Sequence, residues 1–343
     1  MALSNVTELG SLVLHPALLG FSAATVVAAL APAELVSRVV RNALLAYVAL
    51  LLLDIAVTMY HSWPIKPTAP RVKRFALVTG ASSGIGREMA FQLAEQQYSL
   101  LIAARNTDAL ARVRSEIEAL HGPHVQVEIC ACDLSTSDGI QSLVGFVSDN
   151  ELVIDILVNN AGASWTSEFL GLSDSQVDAL LTLNVLAMTK LCHAIIPQMV
   201  VRGMGRVLNI ASMSAAISIP TAALYGSSKS FVLNLSQAMS YELRGSGVTV
   251  TCACPGPVHT NFGSAAHCDV SIYMNTPGLA LDVRECARRS LAAMFRAETD
   301  YYDTLVSRWG AALFRTLLPT RLGLLVAAVT MNEPRKLLQM MQR

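Results

Sequence analysis

Charge is scarce in this chain. Only 15% of its 343 residues are Asp, Glu, Lys or Arg, and 25 basic residues are balanced by 25 acidic ones. A formal charge of zero leaves no basic footprint for a nucleic-acid backbone. Disorder is excluded from the other side, because 53% of the residues are hydrophobic and a chain this apolar has ample surface to bury. Cys-x-x-Cys pairs are absent too, and no His cluster accompanies the seven cysteines. Four of these stand as Cys130-x-Cys132 and Cys252-x-Cys254 within apolar runs. Residues two apart on a strand share a face, so they read as core thiols in a reducing compartment, and no metal site is expected.

Residues 9–33 hold no Asp, Glu, Lys or Arg. That is long enough to cross a bilayer. A second apolar stretch, residues 42–63, is interrupted by Asp54, a costly residue in hydrocarbon unless paired or near the interface. Residues 1–63 are therefore expected to be a membrane anchor of one or two spans, retained because no basic residue precedes the first run as it does in a signal peptide. Lys66, Arg71, Lys73 and Arg74 follow, which by the positive-inside rule places the rest of the chain in the cytosol. The sequon at Asn5 could carry a glycan only from a lumenal N-terminus; a second, at Asn234, is assigned to a buried helix. Residues 64–74, rich in Pro, Lys and Arg, read as a stiff linker.

Beyond the linker the pattern changes. A short apolar run at residues 75–78 leads into Gly80, Gly84 and Gly86 and then into a segment of helical period. A strand, a Gly-rich turn and a helix N-terminus can cradle a pyrophosphate: glycines allow positive φ and close backbone approach, and free N–H groups meet the anion. The next apolar run, residues 100–104, ends at Arg105, where a ribose-reading acid would otherwise be expected. Arg105 accommodates a 2′-phosphate better than a free hydroxyl, which favours NADP over NAD. Two further runs end at Asp133, placed to accept from an adenine amine, and at Asn160, Ala161 and Gly162, placed against the adenosine ribose; a structural turn is the alternative for both. Buried strands alternating with helices imply an α/β fold with a parallel sheet covered on both faces.

The chemistry gathers further on. Residues 207–211 form a fifth strand that delivers Ser212, Met213 and Ser214, and Tyr225 and Lys229 stand at i and i+4 on one helix face. A phenol with a pKa near ~10 is a poor acid at neutral pH, and a neighbouring cation stabilises its phenolate.

The series TGASSGIG, NNAG, Asn184, Ser212 and YGSSK, in this order and separation, resembles the short-chain dehydrogenase/reductase family over residues 75–297. The resemblance implies a single doubly wound Rossmann-type sheet. It implies Tyr225 as general acid in reduction and general base in oxidation, Lys229 as the cation that tunes Tyr225 and holds the nicotinamide ribose, Ser212 as the hydrogen-bond partner of the substrate oxygen, and Asn184 as the holder of a proton-relay water. On the cofactor it implies Gly80, Ser82, Ser83, Gly84, Ile85 and Gly86 at the phosphates, with Pro255, Gly256, Val258 and Thr260 at the nicotinamide. The basic residue that another NADP-preferring type places before the second glycine is replaced by Ser83.

A catalytic domain is thus expected over residues 75–300, with residues 301–343 an apolar helical extension. Arg308 and Arg315 lie one heptad apart among Trp309, Leu313, Phe314, Leu317 and Leu318, which suits an interfacial helix pair broken at Pro319; a packed extension or dimer element is the alternative. An anchor and an apolar extension together suggest a hydrophobic small-molecule substrate, membrane lipid as a partner, a homodimer as a further expectation, and the endoplasmic reticulum as the default membrane. The architecture resembles very-long-chain 3-oxoacyl-CoA reductases, hydroxysteroid dehydrogenases and 3-ketosphinganine reductases, with retinol-type oxidation and a non-catalytic nucleotide-binding scaffold as rivals. TGASSGIG lacks an Asp common in that turn of the oxoacyl-CoA reductases.

Overall fold

The computed structural model describes residues 74–258, 280–304 and 319–331, together with isolated helical positions between 37 and 53. The chain divides into two units, Met1–Trp63 and Pro64–Arg343. The apolar runs expected to form the anchor, the linker as far as residue 73, Thr260, and the Arg308–Arg315 stretch lie outside the described residues, apart from those isolated positions.

The second unit is built on seven parallel strands: β1 (Arg74–Thr79), β2 (Ser99–Ala104), β3 (Val127–Ala131), β4 (Val153–Asn159), β5 (Gly205–Ile210), β6 (Val248–Cys254) and β7 (Asp300–Tyr302). Their order across the sheet is β3-β2-β1-β4-β5-β6-β7. All strands run the same way, but the order in which the chain adds them to the sheet reverses between β1 and β4, and in such sheets ligands bind in the crevice at the strands' carboxyl ends beside that point. The central strands are buried nearly throughout, Leu77, Leu101, Leu157 and Leu208 among them, because helices cover both faces.

On one face lie α1 (Gly84–Glu95), α2 (Thr107–His121) and α7 (Val283–Phe295), whose Met89, Leu93, Leu110, Ile117, Leu291 and Met294 form one core layer. The other layer is filled by α3 (Ser137–Asp149), by α4 (Asp174–Leu181) running on into α5 (Met188–Arg202), and by α6 (Ala223–Glu242). Cys130 and Cys132 fall together in this second layer, as do Cys252 and Cys254, and all four are buried free thiols. Helix starts follow local capping. Asn106 accepts from the Ala109 amide at 2.9 Å, and Ser173 and Gln176 close a reciprocal capping box at the start of α4.

Among the described residues one helix, Asp174–Arg202, is long and apolar enough to cross a membrane. Its Leu191, Cys192, Ile195 and Met199 are buried in the core, so that composition serves packing on the sheet. One expectation is corrected here. Asn234 lies in α6 but on its exposed face, since Val232, Leu233 and Ser236 turn inward and Asn234 sits opposite them.

Candidate active site

Two glycines of the first turn have left-handed backbone, Gly80 with φ +67° and Gly84 with φ +57°. Gly86 is required for a different reason. A methyl group there would collide with the Asn160 side chain and come within 2.5 Å of the Gly80 carbonyl oxygen. Asn160 itself is turned into the protein: its Nδ2 donates to the Thr79 carbonyl at 3.0 Å and to that of Gly80 at 3.4 Å. Thr79, a residue the sequence pattern did not single out, accepts at Oγ1 from the amides of Asn160 and Ala161 and donates to the Val158 carbonyl. The Gly turn on β1 is thereby locked to the end of β4 across the point where the strand order reverses. Ser83, an exposed residue, precedes α1 with no capping bond from its side chain, and Gly84 and Ile85 of the first turn are half-buried. This cradle suits a phosphate anion.

Arg105 directly follows β2 and is exposed, and Asp133 stands two residues past β3. Burial works against ionisation of Asp133, yet bonds from the Ser135 amide (3.0 Å) and hydroxyl (2.7 Å), helped by the Arg105 charge, hold its carboxyl below the ordinary range. An anionic acceptor and a cation thus stand together just past the carboxyl ends of β3 and β2.

The catalytic candidates converge on the other side of the crevice. Between α4 and α5 the helix widens into a π turn, Thr182–Ala187, which presents Asn184 inward. Asn184 Oδ1 accepts from the Ala163 amide at 2.9 Å, while its Nδ2 donates to the Ala163 carbonyl at 2.9 Å and to Ser228 Oγ at 3.0 Å. Ser228 in turn donates to the Tyr225 carbonyl at 2.7 Å, tying the π turn to α6. Lys229, one turn beyond Tyr225, is 5% exposed; its Nζ donates to the Ile210 carbonyl at 2.8 Å and lies 5.8 Å from the centroid of the Tyr225 ring. Burial pushes its ammonium down to about 8, so it is still largely charged at neutral pH. Gly162 leaves room for both groups: a Cβ there would sit 3.3 Å from Asn184 Oδ1 and 3.3 Å from Lys229 Nζ.

Ser212 follows β5 in extended conformation, and its Oγ accepts from the Ser214 amide at 3.2 Å. Among the described residues its own hydroxyl hydrogen meets no acceptor. Ser214, by contrast, is buried with its Oγ sealed from solvent. Pro255, Gly256 and Val258 run on from β6. The Pro255 carbonyl accepts from the Met213 amide at 2.8 Å, and Val258 bridges to Leu281. Asn184, Tyr225, Lys229, Gly162 and the carboxyl end of β5 therefore form one cluster, whereas Arg105 and Asp133 follow β2 and β3, on the other side of β1 in the sheet.

Against known families, the short chain dehydrogenase model matches residues 74–269, more than half of the chain. The chain belongs to that family. It is 32% identical over 181 residues to a very-long-chain 3-oxoacyl-CoA reductase of Laccaria bicolor, covering 51% of this chain and 52% of that one. It is 31% identical over 182 residues to the ketoacyl reductase HetN of Nostoc sp., covering 53% and 62%. The match thus spans little more than half the length of these curated relatives. Among solved structures, a short-chain dehydrogenase from Sphingobium yanoikuyae in complex with NADPH superposes with a TM-score of 0.64 at 30% identity, over 70% of this chain and 92% of that one.

Proposed function

We propose that the protein is an NADPH-dependent oxidoreductase that interconverts a ketone and a secondary alcohol on a hydrophobic lipid substrate, of the long-chain 3-oxoacyl-CoA or steroid class. The observation that carries this reading is the buried Lys229 ammonium beside the Tyr225 ring, with Asn184 and Gly162 packed around it. A cation held there favours the phenolate, so Tyr225 can give its proton to a carbonyl oxygen and take it back in the reverse direction. Ser212 donates to the same oxygen and fixes the carbonyl. Bound in the crevice, NADPH would supply the hydride to the carbonyl carbon. The Gly80–Gly86 cradle and Ser83 suit its pyrophosphate, Asp133 its adenine, Arg105 its 2′-phosphate, and Lys229 its nicotinamide-side ribose. Asn184 positions the backbone at Ala163 and offers the route by which a water reprotonates Lys229.

Two features favour an apolar substrate. In the described part of the C-terminal extension, α8 (Thr320–Met331), Ala327 packs in one cluster with Ile217 and Ile219 of the segment that follows Ser212. The same helix leaves Leu322, Leu324 and Leu325 exposed. With the apolar runs before residue 63, this fits a membrane-bound enzyme of the endoplasmic reticulum with a cytosolic catalytic domain, and a homodimer is part of the same reading. The names of the ketoacyl-reductase relatives support a 3-oxoacyl substrate.

The test is NADPH consumption by the full chain in lipid, against a panel of a 3-oxoacyl-CoA, a ketosteroid, 3-ketosphinganine and retinal. Turnover of a 3-oxoacyl-CoA or a ketosteroid supports the proposal. Turnover confined to one of the other two moves the substrate class, and silence with NADPH still bound favours the scaffold reading.

A further inference from the structure

Asp303 lies outside every motif of the family resemblance, 47 residues along the chain from its partner. It stands directly after β7, a strand of three residues that pairs with the end of β6 in the register Cys252–Asp300, Ala253–Tyr301 and Cys254–Tyr302. One step further along the same register sets Asp303 beside Pro255. The carboxylate is 3% exposed, and both of its oxygens lie 3.1 Å from the Gly256 amide nitrogen. Its position is fixed from behind as well. Arg289 of α7 donates from Nη1 to the Asp303 carbonyl at 2.8 Å and from Nε to Glu285 Oε1 at 2.6 Å.

The segment that Asp303 grips has few other handles. Pro255 and Pro257 carry no N–H, so among residues 255–257 Gly256 has the single backbone donor. Among the described residues the segment's other backbone bonds run outward in two directions: the Pro255 carbonyl accepts from the Met213 amide, next to Ser212, and the Pro257 carbonyl from the Leu281 amide, each at 2.8 Å. Holding the Gly256 amide therefore sets the path of the chain between the substrate-binding serine and Val258. A charged acceptor in a buried site makes a stronger bond than a neutral one, and a buried carboxylate is costly unless it is so used.

We propose that Asp303 is a positioning residue for the cofactor: by clamping the Gly256 amide it holds residues 255–258 in the course that meets the nicotinamide. The inference rests on the cofactor reading given above and names a residue that acts through that segment, without touching the reacting atoms.

The experiment compares Asp303→Ala, Asp303→Asn and Asp303→Leu in the full chain by NADPH fluorescence titration, by steady-state kinetics and by amide exchange of the peptide holding Gly256. Asp303→Ala is expected to weaken NADPH binding about tenfold or more and to raise the KM for NADPH in parallel, leaving the KM for the carbonyl substrate within about twofold. Asp303→Asn keeps an oxygen acceptor at the same reach and is expected to recover part of that loss, whereas Asp303→Leu, which fills the space without an acceptor, is expected to lose as much as Asp303→Ala; recovery in Asp303→Leu would mean that the side chain only fills space. Exchange at Gly256 is expected to speed up in Asp303→Ala with or without cofactor. Unchanged exchange and wild-type NADPH affinity in a folded Asp303→Ala protein would overturn the proposal, as would equal losses in Asp303→Ala and Asp303→Asn. Should Asp303→Ala not fold, Asp303→Glu, which moves the carboxylate by one methylene, is expected to melt near wild type yet lose NADPH affinity, and retained affinity overturns the clamp. Failure of the wild-type protein to bind NADPH would sink the cofactor reading, while the exchange measurement would still decide whether Asp303 holds Gly256.

Discussion

Lys229→Met replaces a buried ammonium by an uncharged side chain of similar length, and its effect on stability can be worked from the structure. The folded protein pushes the Lys229 ammonium from 10.5 down to about 8, burial being the leading cause. At about 1.4 kcal/mol for each tenfold, that difference corresponds to about 3 kcal/mol against the charged form in the folded state. Below about pH 8 the group is protonated both folded and unfolded, and the whole cost of burying the charge is present. Between about 8 and 10.5 the unfolded chain still binds the proton while the folded one has released it, so stability rises with pH; above 10.5 the cost is gone. Other groups titrate over the same range, and the variant cancels them. Denaturant unfolding of wild type and Lys229→Met in the absence of cofactor, measured from pH 7 to 11, is expected to show wild type gaining about 3 kcal/mol relative to the variant, with the rise centred near pH 9. A difference that stays flat across that range would refute the reasoning, because it would mean that the ammonium is not desolvated where the structure places it.

Three further outcomes follow from particular contacts. Gly86→Ala forces a methyl against Asn160 and the Gly80 carbonyl, and should cost about 1–3 kcal/mol of stability and most NADPH affinity; thermal melting with and without NADPH reads both. Asn184→Ala removes the partner of the Ala163 amide and carbonyl and the donor to Ser228 Oγ, and is expected to cost about 1–3 kcal/mol and to lower kcat more than it raises the KM for NADPH. Arg105→Asp should weaken NADPH and spare or improve NADH, measured as a ratio of dissociation constants, and an unchanged ratio would remove Arg105 from the cofactor reading.

Much of this site was legible in the residues themselves. Strands buried on both faces show as unbroken apolar runs, so β1, β2 and β4 could be read directly, and the i, i+4 spacing of Tyr225 and Lys229 needed only a helix to become a contact. What escaped depends on groups distant in sequence. Thr79 looks like an ordinary strand residue until β4 arrives beside it and its hydroxyl meets the Asn160 and Ala161 amides. Asn160, read as a ribose neighbour or a turn residue, directs its side chain to the Gly turn, a choice set by the reversal of strand order between β1 and β4. The strand β7 is only three residues long, too short for a period, and Asp303 gains its meaning from the register of β7 on β6. Asn234 was misplaced because an apolar neighbourhood in sequence says little about which side of a helix a single residue occupies.

The central claim is that Tyr225 transfers the proton, and Tyr225→Phe tests it most directly, since the ring and its packing against Lys229 remain and one hydroxyl is lost. With the substrate identified by the panel, single-turnover reduction in the variant is expected to fall by about 10²–10⁴ while the dissociation constant for NADPH stays within a few-fold of wild type. Turnover within tenfold of wild type, with NADPH bound normally, would contradict the claim and move the acid to another group.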